Sequence, residues 1–250
     1  CLTFFARDYT ASTATGISRI GFNIWALTLI AISVYTLFST FQAETKKNKI
    51  ISGVVTLLLW GGAAALYLRM PEVINTLPQE FQQFNPFFVV ALTPVSMAVF
   101  GALAKKGKEP SSPKKIGMGM VVAGLGFTIM AIASLHLMSP AELKATGGVS
   151  STLVSPNWLI STYLVLTVAE LLLSPIGISF VSKVAPPKYK GMMMGGWFVA
   201  TAIGNYLISI PGMLWDKTEL YVVWGVLIAI CLVSAIFIFS ILKRLESVAQ

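Results

Sequence analysis

The sequence predicts an all-α membrane protein with about seven transmembrane helices, and three observations lead there. Of 250 residues, 56% are hydrophobic and 11% are charged, with a mean hydropathy of +0.78. A soluble domain carries about 25% charged and about 45–50% apolar residues, and a water-exposed sphere of this size could not hide so much apolar surface. Seven long apolar stretches can be marked, each close to the ~20 residues that a helix needs to cross about 30 Å of hydrocarbon. Basic residues alternate between the connections. Membrane barrels would require short alternating segments of about 10 residues, which are missing, so the stretches are helices.

In chain order the stretches are 22–41, 50–68, 86–104, 116–137, 158–182, 192–214 and 220–242. Residues 1–6 are also apolar but too short to span, and read as the tail of another helix. Cys1 is not an initiator Met, and no charged signal region precedes an apolar one. A lipid-anchored Cys1 and a start partway through a longer protein are both open, and the second is preferred. The connection 108–115 (KEPSSPKK) holds two prolines in a basic run and reads as a short cytoplasmic link. The stretch 138–157, rich in Ser, Gly and Pro, reads as an outer loop. Ala185-Pro186-Pro187 closes the fifth span. No internal repeat or soluble domain fits.

The formal charge of +8 would suggest nucleic acid in a soluble protein, but its distribution points elsewhere. Thirteen of the 18 Lys and Arg residues fall in the alternate connections 46–49, 105–115, 183–190 and 243–244. The other set holds Arg7, Arg19, Arg69, Lys144 and Lys217. Positive charge gathers on cytoplasmic loops, so the split sets the Gln250 end inside and the Cys1 end outside. It predicts no nucleic-acid partner. Cys1 and Cys231 build no disulfide framework, and the single histidine, His136, rules out an HExxH zinc site.

Glu170 is the one ionisable side chain in the middle of a span. An acid at mid-bilayer costs about 2.5–3.5 kcal/mol and usually serves a transport path or proton movement, or else pairs with a buried donor for packing. Tyr163, Thr167, Glu170, Ser174 and Gly177 are spaced 4, 3, 4 and 3 apart and share one helical face. That face presents a hydroxyl, a hydroxyl, a carboxylate, a hydroxyl and a gap, as a water-filled cavity would need. Pro175 on the same helix frees a carbonyl one turn earlier. The third span opens with Asn85-Pro86, either a helix cap with Pro at the first helical position or a functional amide. Pro94 should bend that span, as happens around transporter sites. On the sixth span Trp197, Thr201 and Asn205 stand four apart. They read as cavity lining, with an interfacial belt as the competing assignment for Trp197.

Glycines at 117, 119, 124 and 126, and the pair Gly191 and Gly195, read as close helix contacts. Met192–Met194 reads as adaptable packing and His136 as a solvated terminal residue. Trp25, Trp60, Trp158, Trp215 and Trp224 read as interfacial anchors.

NPFFVVALTP at 85–94, the EPSSPKK loop, SPNW and AELLLSP within 155–175, and SKVAPPKYKGMMMGGWF at 182–198 together resemble the C-terminal half of proton-dependent oligopeptide transporters of the major facilitator superfamily. The likeness runs in order from Gln83 to Arg244, with a looser match of FFAR at 4–7 to the end of the family's seventh helix. It implies a major-facilitator C-terminal helix bundle of five helices over 83–250. Residues 22–69 would be an extra, inserted transmembrane hairpin, and 1–21 the end of a truncated helix plus an outer loop. An even number of added helices leaves the charge-derived orientation unchanged.

The resemblance implies that Glu170 holds a peptide's amino end and that Asn85 bonds its backbone nearby. Trp197 would be a pocket wall, with Thr201 one turn on. It implies small peptides as substrate and protons as the coupling ion, with no other cofactor and no metal, in a bacterial inner membrane among membrane lipids. The family's first-helix ExxERFxYYG motif, its pocket arginine and its fourth-helix lysine are not in this sequence. The chain therefore supplies half a site and needs the N-terminal half as partner. A facilitator-fold transporter of another solute, or a non-transporting membrane subunit, are the alternatives; an intramembrane enzyme lacks the acid pair, metal triad or nucleophile it would need.

Overall fold

A chain dissolved in hydrocarbon must pair its backbone groups internally, and the apolar stretches do so as helices. The computed structural model describes residues 1–148, 150–215 and 217–249. Its seven helices long and apolar enough to cross a membrane confirm the seven spans. Contacts divide the chain into two compact units. One comprises 2–108 with 154–164; the other, apart from Cys1, comprises 109–153 and 165–250. Within the first unit the third span packs with the hairpin.

The first unit begins with α1 (Leu2–Asp8), a three-residue strand β1 (Thr13–Thr15) and a 3-10 segment over Gly16–Phe22. Asn23 then starts α2 (Ile24–Gln42) by accepting a hydrogen bond from the Ala26 N–H at 3.0 Å, as a helix cap does. Ala43 to Thr45 turn the chain into α3 (Lys46–Arg69). Three polar pairs sit between these helices. The Thr36 and Thr56 hydroxyls are 2.7 Å apart, the Ser39 and Ser52 hydroxyls 3.2 Å, and Trp60 Nε1 donates to Ser33 Oγ at 2.9 Å. Such bonds between membrane helices average about 0.6 kcal/mol.

After α3, Arg19 donates to the carbonyls of Met70 and Pro71 and lies 4.7 Å from the Tyr67 ring centre. Strand β2 (Val73–Asn75) pairs antiparallel with β1, Thr13 opposite Asn75. This small ribbon was not foreseen in an all-α reading. A second 3-10 segment, Pro78–Gln83, leads into α4 (Phe84–Lys105). Phe22 stacks edge-on against Phe81 and Phe84 at 5.2 and 5.4 Å. Pro94 is carried inside an unbroken α4, where Thr93 Oγ1 donates to the Val89 carbonyl.

In the second unit, α5 (Ser112–Ala133) packs against α10 (Leu220–Ser240). Between them run α6 (Pro140–Ala145), the later part of α7 (Pro156–Val184), α8 (Lys190–Leu207) and α9 (Ser209–Leu214); α11 (Leu242–Ala249) follows. The close-contact reading holds on α5. A Cβ at Gly117 would lie 2.9 Å from the Phe239 ring, one at Gly119 3.0 Å from the Ala169 carbonyl oxygen, and one at Gly126 2.8 Å from Leu166. It fails at Gly191 and Gly195, where a Cβ would meet nothing within 4 Å.

The sixth span is two helices rather than one, because Pro211 has no N–H to offer the carbonyl four residues earlier, at Leu207. The fourth span stops at Ala133, four residues short of the expected end. Just beyond it, Ser134 accepts a hydrogen bond from Trp224 Nε1 at 2.9 Å. Trp224 and Trp215 are buried and meet edge to face at 5.8 Å, so they are core residues and not interfacial anchors. Trp25 is exposed, as an anchor requires. His136 is exposed in the turn after α5.

The α5 contacts yield a stability test. Gly119→Ala should destabilise by about 1–3 kcal/mol, because a backbone oxygen must move to admit the methyl. Gly225→Ala, in open space on α10, should be neutral or slightly stabilising. Thermal unfolding midpoints of the two variants in the same detergent check this.

Candidate functional site

Helix α7 has 29 residues, and Glu170 stands at its centre, 14 residues from either end. A helix turns about 100° per residue, so each exposed position can be placed around its axis. Ser161, Leu164, Val168, Pro175 and Ile178 are exposed and fall together on one stripe. Glu170 is also exposed, yet it sits on the opposite side of the helix. Its neighbours along that side are buried: Tyr163, Thr167 and Gly177, with Ser174 half-buried. The carboxylate is therefore accessible from the packed face of α7 and not from its outward stripe.

The expected polar face is thus only partly open. Tyr163 and Thr167 sit among packed side chains, so the two hydroxyls form part of the packing around the acid instead of lining an open chamber. The gap expected at Gly177 is filled. The Trp197 ring of α8 occupies the space so closely that a Cβ on Gly177 would lie 2.3 Å from Trp197 Cη2. The structure therefore brings Trp197 onto the same face as Glu170, two turns away along α7. The Trp197 ring is half-buried and seated on Gly177.

Thr201 lies one turn further along α8 and is exposed, with its hydroxyl donating to the Trp197 carbonyl at 2.9 Å. Asn205 is exposed as well. Asn85 belongs to the first unit and is half-buried. The cap reading for Asn85 is corrected. The 3-10 segment carries the chain into α4 already at Phe84, with Gln83 in the cap position, so Asn85 lies within the first helical turn.

Gln83 was missed by sequence reasoning. Its Nε2 donates to the Gly21 carbonyl at 3.1 Å, and the Phe84 ring fits against Gly21, where a Cβ would lie 2.7 Å away. These two contacts fix where α4 begins and so where Asn85 stands. A glutamine in a polar link gives no sequence signal for that role. Among the described residues no group of three or more His, Cys, Asp or Glu is placed to hold a metal ion.

The fold and this face define a multi-pass helical membrane protein with a single acid at mid-helix. Residues 55–221 match the family model described as POT family, and the chain belongs to that family. The match starts inside α3 and ends in the first turn of α10, so it reaches further back and stops earlier than the span from Gln83 to Arg244 expected above.

Over 132 residues the chain is 39% identical to the peptide transporter YePEPT of Yersinia enterocolitica, covering 53% of this chain and 24% of that protein. It is 27% identical over 201 residues to dipeptide and tripeptide permease B of Xenorhabdus bovienii, covering 74% and 39%. The chain spans less than half the length of these relatives. Among solved structures, a peptide transporter POT in complex with sulfate superposes with a TM-score of 0.59 at 22% identity, covering 99% of this chain and 44% of that one. The POT family transporter PepTSo superposes with a TM-score of 0.55 at 16% identity, covering 98% and 58%. These structures support the major-facilitator architecture.

The contact between Gly177 and Trp197 can be tested by a double-mutant cycle. Gly177→Ala should cost about 1–3 kcal/mol by overpacking. Combined with Trp197→Ala, most of that cost should vanish, giving a coupling of about 0.5–3 kcal/mol in unfolding measurements.

Proposed function

We propose that this chain is the C-terminal half of a proton-coupled di- and tripeptide symporter that works by alternating access. Family membership supports it, and so does the central observation of the site: an acid at mid-span, accessible on a face that is otherwise packed. Glu170 meets the ammonium group of a bound peptide through a charge-assisted hydrogen bond. Asn85 bonds the peptide backbone near that end, and Trp197, seated on Gly177, forms a wall of the pocket with Thr201 one turn on. Tyr163, Thr167 and Ser174 shape the surroundings of the carboxylate. The N-terminal half of the transporter supplies the groups for the peptide carboxylate and for proton coupling, and the two halves rock about the midplane site.

The protein sits in a bacterial inner membrane with its Gln250 end cytoplasmic, a reading supported by the concentration of Lys and Arg in alternate connections. Helices α2 and α3 form a hairpin inserted ahead of the five-helix bundle. In this reading the chain contributes half of a solute path and takes no part in covalent chemistry.

Uptake of a dipeptide by the intact transporter in proton-driven vesicles tests the role of Glu170. Glu170→Gln should raise the half-saturating peptide concentration by about 10-fold or more, since a hydrogen bond to a charged group contributes about 1.5–3 kcal/mol. Amino-acetylated dipeptide should bind poorly to the unaltered protein and lose little more in the variant. Glu219→Gln, on an exposed connection, should leave uptake unchanged. Unchanged uptake and affinity in Glu170→Gln would overturn the assignment.

A further inference from the structure

The α2–α3 hairpin carries a cavity that the transport reading does not use. It has a volume of about 550 Å³ and lies among α2, α3 and α4 within the first unit. Its walls change character along α2. Tyr35 and Phe38 line the deep part, the part farther from the hairpin turn, with Pro94 and Met97 of α4; the bonded Ser39 and Ser52 stand at the level of Phe38, and Gln42, with Asn48 of α3, lines the part nearest the turn. Seven residues separate Tyr35 from Gln42, a rise of about 10 Å along the helix. That depth reaches from the polar boundary of a membrane into its hydrocarbon.

Charge at the turn completes the picture. Asn48 stands between Lys47 and Lys49, with Lys46 beside them, and all are exposed. Glu44 offsets one of the three, leaving the turn with a net charge of +2. We infer that this cavity is a binding site for one anionic phospholipid, with the headgroup at the lysine-bearing turn and an acyl chain along Tyr35, Phe38 and Met97. The polar-to-apolar gradient fits an amphiphile, and the cationic rim selects a negative headgroup. Free phosphate would leave the deep aromatic part unused. The site also gives the hairpin a role as a lipid-anchored flank of α4.

The test uses the intact transporter, stripped of lipid and reconstituted with dioleoylphosphatidylglycerol or dioleoylphosphatidylcholine, with retained lipid counted by native mass spectrometry. The unaltered protein should retain the glycerol lipid about 10-fold over the choline lipid. Lys46→Gln, Lys47→Gln and Lys49→Gln together should cut that preference at least about fivefold, since each basic residue near the surface adds attraction to anionic lipid. Met97→Trp, which fills the deep part, should reduce retention of both lipids. Equal retention of the two lipids by the unaltered protein would overturn the inference. So would an unchanged preference in the triple variant, or displacement of the lipid by inorganic phosphate alone. The triple variant alters exposed side chains only, and its lipid-free unfolding midpoint should match the unaltered protein, so its arm decides the matter even where Met97→Trp fails to fold.

Discussion

Hydrocarbon offers no hydrogen bonds, and most of this structure follows from that one constraint. Backbone polar groups can be satisfied only by helices here, so the seven apolar stretches became seven helical spans, the sixth in two pieces. The same constraint explains how the prolines behave. Pro94 and Pro175 each remove one helical donor without ending their helices. At Pro211 the lost donor coincides with the break between α8 and α9. Side chains that carry hydroxyls fold back onto their own helices, as Thr93, Thr128 and Thr162 do.

An acid breaks that economy. Placing Glu170 at the centre of α7 costs a few kcal/mol unless water or a partner reaches it. The helix answers by turning the carboxylate away from its outward stripe and exposing it on the packed side. Thr167 and Gly177 on the same side are buried, Gly177 beneath the Trp197 ring.

The second unit owes its close approach to absent side chains. Gly119 lets α5 reach the backbone of α7, and Gly117 admits the Phe239 ring of α10. With no hydrophobic drive between helices in lipid, contact depends on such fits and on a few polar bonds. The Trp224 indole, donating to Ser134, is one of those bonds. The hairpin of the first unit relies on the other device, with hydroxyl pairs along α2 and α3.

How much was legible beforehand divides along physical lines. Helix number, helix class and the position of Glu170 were readable because length, hydropathy and a lone charge are one-dimensional properties of the chain. The family resemblance was readable because its motifs are contiguous. Other features depend on which side chains meet across space. The burial of Trp215 and Trp224, the filling of the Gly177 gap by Trp197, and the placing of Asn85 through Gln83 and Gly21 all needed partners from distant segments. Tryptophans near span ends look alike whether they anchor at an interface or pack in a core, and glycines look alike whether a neighbour fills them or not. The sequence by itself determined that this protein lives in a membrane as a helical bundle with an acid at mid-span. Only the tertiary structure decided that Glu170 is exposed on an otherwise packed side of α7, because exposure is a property of the neighbours and not of the residue.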